Sequence, residues 1–337
     1  MAKQNTAPTM KDVAKEAGVS LGTVSKVING IPVGDEYRKK VEQAIKTLDY
    51  HINAYAKGLK NNRTYTVAVI LPNLLNPFFS MVAHYINRAL VNRGYRMLLC
   101  DTEYDYTKEQ EMVQMVAQNK VDGIIALTYN PDLKIPPDVR SVSIDRYLSG
   151  STTCVASDNY NGGRLAAQKL VENGCKNLAF LRIGSPLTSE TNKRRDGFVA
   201  ECEAMQLPCT QKILMDDAPL SEFEHFLEEN LKDGRLAFDG IFCVTDKLAV
   251  AVIKMLRRMG QRVPEDVQVI GYDGLRAFGD QDYYCSTIIQ PVEDLGQAAG
   301  EQILRRVEVP DAPIFENVLT STYRPYNQPR AWSHSDR

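Results

Sequence analysis

The sequence lacks the features that mark membrane and secreted proteins. No apolar run reaches the roughly 20 residues that a membrane-spanning helix needs. The first residues, MAKQNTAPTMK, lack the apolar core of a secretory signal. We therefore expect a cytoplasmic protein with no membrane partner.

The sequence also lacks the motifs of metal sites and of common enzymes. Its seven cysteines include no C-x-x-C pair, and its four histidines are isolated from one another, so neither a disulfide framework nor a zinc site is indicated. The motifs G-x-G-x-x-G, G-x-x-x-x-G-K-[ST] and G-x-S-x-G are missing as well. We predict no cofactor, no metal and no catalytic residue.

The composition is that of a soluble globular protein with an uneven distribution of charge. A length of 337 residues suggests two or three domains, and 44% of the residues are hydrophobic. Residues 1–65 contain eleven Lys or Arg and six Asp or Glu, so they carry +5 in a chain whose net charge is −2. A basic head on an acidic body suits a protein that touches nucleic-acid phosphates with its head alone, although a solvated helix face would look the same.

Residues 10–29, MKDVAKEAGVSLGTVSKVIN, have the pattern of a helix-turn-helix. Thr9 can cap a first helix, Gly18 interrupts it, and Ser20 can cap a second. The apolar residues of the second helix recur at i, i+3 and i+4, which leaves another set facing outward: Leu21, Gly22, Ser25 and Lys26. Such a helix lies in the DNA major groove with its N-terminal residues at base edges. Two short helices of an ordinary helical core are the alternative.

A third helix near Asp35 completes an all-α head, which we assign to residues 1–52. Residues 53–60, NAYAKGLK, have helical potential, but an isolated helix of fewer than about 12 residues is marginal in water. Gly58 weakens it by about 1 kcal/mol relative to Ala. We therefore interpret residues 53–65 as a linker whose first part has helical potential.

From residue 66 onward, short apolar runs alternate with longer helical patterns. The runs that predict strands are 67–71, 96–100, 123–127, 139–144, 178–182, 241–244 and 267–270, and the predicted helices are 77–92, 108–118, 162–172, 221–231 and 247–258. This alternation predicts parallel α/β sheets. Residues 66–337 suffice for two such sheets, and ligands of open α/β sheets bind beyond the carboxyl ends of the strands.

Polar and aromatic residues follow several of these strands. They are Asn73, Phe79, Asp145, Arg194, Thr245, Asp273 and Gln290. Carboxylate and guanidinium groups beside an aromatic platform suit a polyhydroxylated ligand. Sugars fit this description, and so do nucleosides and small organic acids. Helix caps and surface ion pairs are the alternative for each residue alone.

Several stretches together resemble one family. D-V-A-x-x-A-G-V-S-x-x-T-V-S-x-V-I-N, from Asp12 to Asn29, resembles the start of the lactose-repressor (LacI/GalR) family of bacterial regulators. L-P-N-x-x-N-P-F-F, I-D-R, D-N-x-x-G-G, R-x-x-G-F and V-I-G-Y-D look like family signatures over almost the whole chain. The resemblance implies a body of two parallel-sheet lobes like a periplasmic binding protein. We place the N-lobe at about 66–157 and 290–318, and the C-lobe at about 158–289 and 319–337.

The resemblance also implies roles for individual residues. In the head, Leu21, Gly22 and Lys26 take the base-reading positions, Ser20, Thr23 and Ser25 the phosphate contacts, and Asn29 joins this set. Residues 53–65 become a hinge helix and linker, in which Leu59 matches a leucine that enters the DNA minor groove, with Ala56 beside it. In the body, Asp145, Arg194 and Asp273 become the main ligand contacts, supported by Asn73, Phe79 and Gln290, while Thr245 bears on ligand identity.

We expect a dimeric repressor that binds palindromic operator DNA under the control of a small effector, a sugar or sugar derivative. The C-terminus shows no leucine heptads, so a homodimer without a tetramerising coil is predicted. A sugar-binding transport component could use the same two-lobed clamp, but it would require a secretory signal and no basic head. An enzyme on the α/β body is the least favoured alternative.

Overall fold

The computed structural model describes residues 8–28, 30–50, 63–130, 132–145, 152–184, 189–215, 218–276, 282–309, 312–314 and 316–325. The chain divides into two compact units, a head of Met1–Thr64 and a body of Tyr65–Arg337. Among the residues in these ranges, none of the helices is long and apolar enough to cross a membrane.

The head contains the predicted helix-turn-helix. Helix α1 spans Met10–Ala17, α2 spans Leu21–Ile28 and α3 spans Asp35–Thr47. Thr9 and Asp12 form a capping box at the start of α1, and Gly18 ends that helix in the left-handed conformation, with φ of 62°. A small apolar core holds the three helices together, its most buried members being Val13, Val24 and Val41.

The body begins with alternating strands and helices, as the sequence pattern predicts. Its first part contains β1 (Thr66–Leu71), α4 (Pro77–Val91), β2 (Arg96–Asp101), α5 (Tyr106–Gln118), β3 (Gly123–Ala126), β4 (Arg140–Ile144) and β5 (Thr153–Ser157). Strands β1, β3, β4 and β5 are buried almost throughout, as expected for a parallel sheet that is covered on both faces.

The rest of the chain builds a second lobe, goes back to the first lobe and then returns to the second. The elements of this part are α6 (Asn159–Glu172), β6 (Leu178–Ile183), α7 (Asn192–Ala204), β7 (Cys209–Leu214), α8 (Ser221–Glu229), β8 (Leu231–Lys232), β9 (Arg235–Leu236), β10 (Gly240–Cys243), α9 (Asp246–Arg258), β11 (Gln268–Asp273), β12 (Ser286–Ile289), α10 (Val292–Glu308), β13 (Glu316–Leu319) and β14 (Thr322–Arg324).

Two six-stranded sheets define the two lobes. The N-lobe sheet has the order β13-β5-β4-β3-β1-β2 and the C-lobe sheet the order β14-β12-β11-β10-β6-β7. The predicted parallel sheets are confirmed, except that β14 pairs antiparallel with β12. Leu319 pairs with Ser157 in the N-lobe sheet, so the predicted 318/319 boundary falls inside β13.

The chain therefore passes between the lobes three times. The first crossover follows Ser157 at the end of β5, the second includes Gln290 after β12, and the third includes Ser321 between β13 and β14. The first and third crossovers lie side by side, because Asp158 N donates a 2.7 Å hydrogen bond to the Leu319 carbonyl oxygen. Any change in the angle between the lobes must act on these segments.

Candidate functional site

Two buried carboxylates lie at the carboxyl ends of the two sheets. Asp145 directly follows β4 in the N-lobe, and Asp273 is the last residue of β11 in the C-lobe. Their φ angles are 52° and 129°, a conformation that is unusual for residues other than glycine and that concentrates at functional sites. Buried acids in strained backbone, at the edge where α/β sheets bind ligands, mark this edge as the candidate site.

Arg194 brings a guanidinium group from α7 to these carboxylates. Its Nε donates to Asn159 Oδ1 at 2.7 Å, and its Nη1 donates to the Val244 carbonyl oxygen at 2.9 Å. The same Nη1 lies 3.5 Å from Asp273 Oδ1, and the guanidinium carbon stands 3.8 Å from the centroid of the Tyr272 ring. The arginine is thus fixed by hydrogen bonds at its edge and by an aromatic ring on its face.

Hydrogen bonds close these groups into a ring that joins the two lobes. Asp145 Oδ1 accepts from Asn159 Nδ2 at 3.2 Å and from Ser157 N at 3.1 Å. Ser157 Oγ donates to Gln290 Oε1 at 2.7 Å, and Gln290 Nε2 donates to Asp273 Oδ1 at 2.7 Å. We call this set the polar ring; its members, all at most 5% exposed, are Asp145, Ser157, Asn159, Arg194, Asp273 and Gln290.

The electrostatic balance of the polar ring is one cation against two carboxylates. Burial raises the pKa of Asp145 and raises the pKa of Asp273 to about 7, while the positive charge of Arg194 opposes both shifts. Asp246, at the start of α9, adds a third buried acid next to Asp273, and burial raises its pKa to about 6. The site therefore has a surplus of negative charge once all three acids ionise.

This surplus predicts that the stability of the body falls as the pH rises from 5 to 7.5. An unfolded aspartate ionises near pH 3.9, whereas folded Asp273 keeps its proton up to a pKa of about 7. The folded state then holds more protons than the unfolded state, and linkage makes stability decrease with pH across that window. Thermal unfolding at several pH values measures this slope.

Two aspartate variants test whether Asp273 causes this decrease of stability with pH. Asp273→Asn should make it shallower, because the amide oxygen still accepts from Gln290 but no longer titrates, while Asp246 still contributes near its pKa of about 6. Asp266→Asn should leave it unchanged, because a hydrogen bond from Arg262 holds the pKa of this exposed acid at about 2, below the window. An unchanged slope in Asp273→Asn would contradict the assignment of the titration to Asp273.

Two glycines let α6 pack closely against Tyr272 and Arg194. A Cβ atom on Gly162 would lie 2.5 Å from the Tyr272 hydroxyl, and a Cβ on Gly163 would lie 2.0 Å from the Arg194 carbonyl oxygen. No side chain fits at such distances, so the G-G pair of the D-N-x-x-G-G motif sets the positions of Tyr272 and Arg194. Asp158 caps α6 by accepting from Asn161 N.

The other predicted ligand contacts make different interactions. Thr245 caps α9 by accepting from Leu248 N at 3.3 Å. Asn73 Oδ1 accepts from Leu75 N at 2.6 Å, which forms a turn after β1. Phe79 is packed in the core of the N-lobe and is only 2% exposed, so it offers a ligand very little surface.

Sequence reasoning did not assign Ser157, Asn159 or Tyr272 to the site. Asn159 belongs to the D-N-x-x-G-G motif, from which no ligand contact was predicted, and Ser157 ends a strand that the sequence pattern did not predict. Asp246, a further buried acid close to the ring, holds the β11–β12 region together. Its carboxylate accepts from Leu275 N at 2.7 Å and from Thr287 Oγ1 at 2.6 Å.

The residues of α2 that were predicted to face outward lie at the surface of the head. Leu21, Gly22 and Lys26 are exposed, and Leu21, Gly22 and Ser25 line a shallow concavity together with Thr9, Met10 and Lys11 from the start of α1. Ser20 Oγ accepts from Thr23 N at 3.1 Å, and the hydroxyls of Ser20 and Thr23 are 3.0 Å apart. The predictions for Asn29, Ala56 and Leu59 lie outside the described residues.

Comparison with known proteins identifies the family. The profile described as "Bacterial regulatory proteins, lacI family" matches residues 9–53, and "Periplasmic binding protein-like domain" matches residues 167–325. The sucrose operon repressor of Pediococcus pentosaceus is 34% identical over 308 residues, which cover 89% of this chain and 93% of that protein. The chain belongs to the LacI family. Membership places it among transcriptional repressors and not among enzymes.

Two solved structures extend the comparison to the LacI-family fold and to bound ligands. A periplasmic binding protein/LacI transcriptional regulator from Alkaliphilus metalliredigens QYMF, complexed with D-xylulofuranose, is 27% identical with a TM-score of 0.67 and covers 79% of this chain and 100% of its own. The lac repressor dimer bound to operator and the anti-inducer ONPF has a TM-score of 0.81 at 21% identity, and covers 95% of this chain and 98% of its own. The second likeness shows that the two share a fold.

Proposed function

We propose that this LacI-family chain is a homodimeric repressor whose affinity for palindromic operator DNA is set by a small, uncharged carbohydrate bound between the two lobes of the body. The polar ring carries this proposal, because it places a buried arginine and two buried carboxylates where both sheets end. The proposed ligand contacts are Asp145, Arg194 and Asp273, with Gln290 beside them. Two acceptor groups and a fork of donors can bind several adjacent hydroxyls at once.

The electrostatic balance of the ring favours a neutral ligand over a phosphorylated one. Arg194 is the cation that lowers the pKa of both Asp145 and Asp273, whereas Asp246 and Glu190 act in the opposite direction. A phosphate would add negative charge to a buried site that already has more acids than bases, and burying an uncompensated charge is costly. The D-xylulofuranose bound to the Alkaliphilus protein is a sugar of the uncharged kind.

The proposed DNA contacts follow from the head. Exposed Leu21 can meet the methyl group of a thymine, and exposed Lys26 can donate to guanine or to a phosphate. Gly22 reads no base with a side chain, but it lets the start of α2 come close to the DNA. The concavity between the starts of α1 and α2 would receive the DNA backbone beside the bases that α2 reads.

The proposed homodimer is supported by the edge of the N-lobe sheet. Among the residues that the structure describes, strand β2 pairs with β1 alone, so no described strand lies along its other edge. Leu98 and Leu99 on this strand are 37% and 38% exposed, although consecutive residues of a strand point to opposite faces. Exposed apolar residues along an open edge mark an association surface, and a homodimer would match the two-fold symmetry of a palindromic operator.

Thermal unfolding with a panel of sugars tests the ligand class. A ligand at about 100 times its dissociation constant stabilises the folded state by roughly 2.7 kcal/mol, which raises the melting temperature measurably. We expect a shift with a neutral sugar from the set sucrose, cellobiose, D-ribose and D-xylulose, and none with ribose 5-phosphate or fructose 6-phosphate. A shift with the phosphates alone would contradict the proposed neutral ligand.

A further inference from the structure

Cys209 is the only cysteine of the chain that is not buried. All seven cysteines lie among the described residues, and the other six are buried. Burial raises the pKa of Cys175 to about 12 and also raises the pKa of Cys100, so these thiols stay protonated and inaccessible. Cys209 is half-buried at the start of β7, so a small molecule in solvent reaches this thiol first.

The end of α7 brings a second thiol beside Cys209. Gln206 adopts the left-handed conformation, with φ of 58°, and Leu207 N donates to the Cys202 carbonyl oxygen at 2.9 Å. The helix ends there and the chain reverses direction. Pairing of β7 with β6 then fixes the position of Cys209. As a result, the thiols of Cys202 and Cys209 are hydrogen-bonded to each other.

The two thiols differ in access and in acidity. Cys202 is fully buried in the hydrophobic core of the C-lobe, whereas Cys209 packs against the outside of that core. The hydrogen bond from the Cys202 thiol lowers the pKa of Cys209, while the same bond and burial raise the pKa of Cys202. The thiolate is the form that attacks an oxidant. Cys209 is therefore suited to react first, with Cys202 in place to attack the product.

We propose that Cys202 and Cys209 form a reversible thiol–disulfide site that is oxidised by a hydroperoxide. With hydrogen peroxide, the Cys209 thiolate attacks one peroxide oxygen, an S–O bond forms, the O–O bond breaks and hydroxide leaves. The Cys202 sulfur then attacks the sulfur of the Cys209 sulfenic acid, so that an S–S bond forms and the S–O bond breaks. The oxygen leaves as water with the Cys202 proton. In total, two thiols lose two electrons and one peroxide becomes two waters.

The arrangement of the pair distinguishes this site from cysteines that only fill space. A cysteine that acts as a small apolar residue needs neither solvent access nor a second thiol, and this pair has both. Two thiols alone do not complete a zinc site, and the part of the chain that the structure describes contains no group of three or more His, Cys, Asp or Glu that could hold a metal ion. The site makes no use of the polar ring, so it is independent of the proposed effector.

Peptide mapping of the full chain by mass spectrometry tests the site. The reduced protein is treated with a stoichiometric amount of hydrogen peroxide, alkylated and digested with trypsin, which releases residues 196–212 with both thiols and no other cysteine. We expect this peptide to lose two hydrogen atoms and to resist alkylation, and we expect dithiothreitol to restore both thiols. A peptide that keeps both thiols free while other cysteines react would overturn the proposal.

Two variants separate the roles of the thiols. Cys202→Ala should stop the reaction at the sulfenic acid of Cys209, which dimedone captures, because no thiol is left to attack it. Cys209→Ala should leave Cys202 unoxidised, because Cys202 is fully buried. This second substitution is at a half-buried position and provides the test if Cys202→Ala does not fold. Oxidation of Cys202 in Cys209→Ala at the wild-type rate would contradict the assigned order of attack.

Cys175→Ala is the matched control. Cys175 also belongs to the core of the C-lobe, but its Sγ donates to the Asp239 carbonyl oxygen at 3.4 Å rather than to a thiol. Its removal should leave the yield of the disulfide in residues 196–212 unchanged. In the wild type, iodoacetamide should alkylate Cys209 at least about tenfold faster than Cys175, since access and thiolate content both favour Cys209. Equal alkylation rates would overturn the proposal.

Discussion

Arg194→Ala should abolish the response of operator binding to the effector. The guanidinium group makes hydrogen bonds to Asn159 and Val244 and an ion pair with Asp273 at 3.5 Å. Each hydrogen bond between a ligand and a charged group contributes about 1.5–3 kcal/mol, so sugar affinity should fall by roughly 10-fold to 100-fold or more. Isothermal titration with a sugar that stabilises the wild-type protein measures the loss.

The same substitution should also destabilise the body, because breaking a buried ion pair costs about 3–5 kcal/mol. Arg194→Gln keeps much of the volume and provides a second variant if the alanine form does not fold. Arg195→Ala is the matched control, since Arg195 is the next residue of α7 but pairs with Asp196 at the surface. A full effector response in Arg194→Gln would show that the pocket lies elsewhere.

Leu59→Ala should weaken specific operator binding while leaving sugar affinity unchanged. From the resemblance to the family, we propose that this leucine enters the minor groove from each subunit, where an apolar wedge separates base pairs and bends DNA. Burying a leucine side chain contributes about 1.5–3 kcal/mol, so losing both wedges of a dimer removes about 3–6 kcal/mol and should reduce operator affinity by at least about 100-fold. Fluorescence anisotropy with a labelled palindromic operator measures the change.

A surface leucine supplies the control for this substitution. Leu75 is 90% exposed in the turn after β1, and Leu75→Ala should leave both operator and sugar affinity at wild-type values. Binding to non-specific DNA should also be nearly equal in Leu59→Ala and the wild type, because phosphate contacts dominate it. Wild-type operator affinity in Leu59→Ala would contradict the proposed wedge role of Leu59.

Much of the fold could be predicted from the sequence, because its signals are local. The capping residue Thr9, the interrupting Gly18 and the apolar spacing of α2 mark a helix-turn-helix within about twenty residues. The buried strands β1, β3 and β6 are continuous apolar runs, which parallel sheets require. These elements depend on neighbours in sequence, so inspection of the sequence finds them.

The elements that the pattern did not predict have weak local signals. Strand β7, CTQKIL, is a largely polar edge strand, and α7, NKRRDGFVAECEA, has apolar residues on no clear face. The helical form of α7 depends on its packing against α6, where the Arg194 carbonyl oxygen lies so close to Gly163 that no side chain would fit. Contacts between residues that are distant in sequence decide such elements.

In the candidate site, too, some residues have local sequence signals and others are placed only by contacts between distant parts of the chain. Asp145 and Asp273 could be anticipated because they follow apolar strands, and Arg194 because of the R-x-x-G-F motif. The structure brings these three together with Gln290, but Phe79 is buried in the N-lobe core and Thr245 caps a helix. The bonds of Ser157 and Asn159 could not be anticipated, because the register of β5 and the crossover geometry set them.

The central claim is that a carbohydrate between the lobes controls operator binding through the polar ring. Its most direct test is operator affinity of the full chain, measured by anisotropy with and without the neutral sugar that raises the melting temperature, in the wild type and in Arg194→Gln. Our account predicts that the sugar changes wild-type operator affinity by at least about fivefold, within the usual range of allosteric coupling, and leaves the variant unchanged. Equal sugar dependence in both proteins, or no sugar dependence in the wild type, would contradict it.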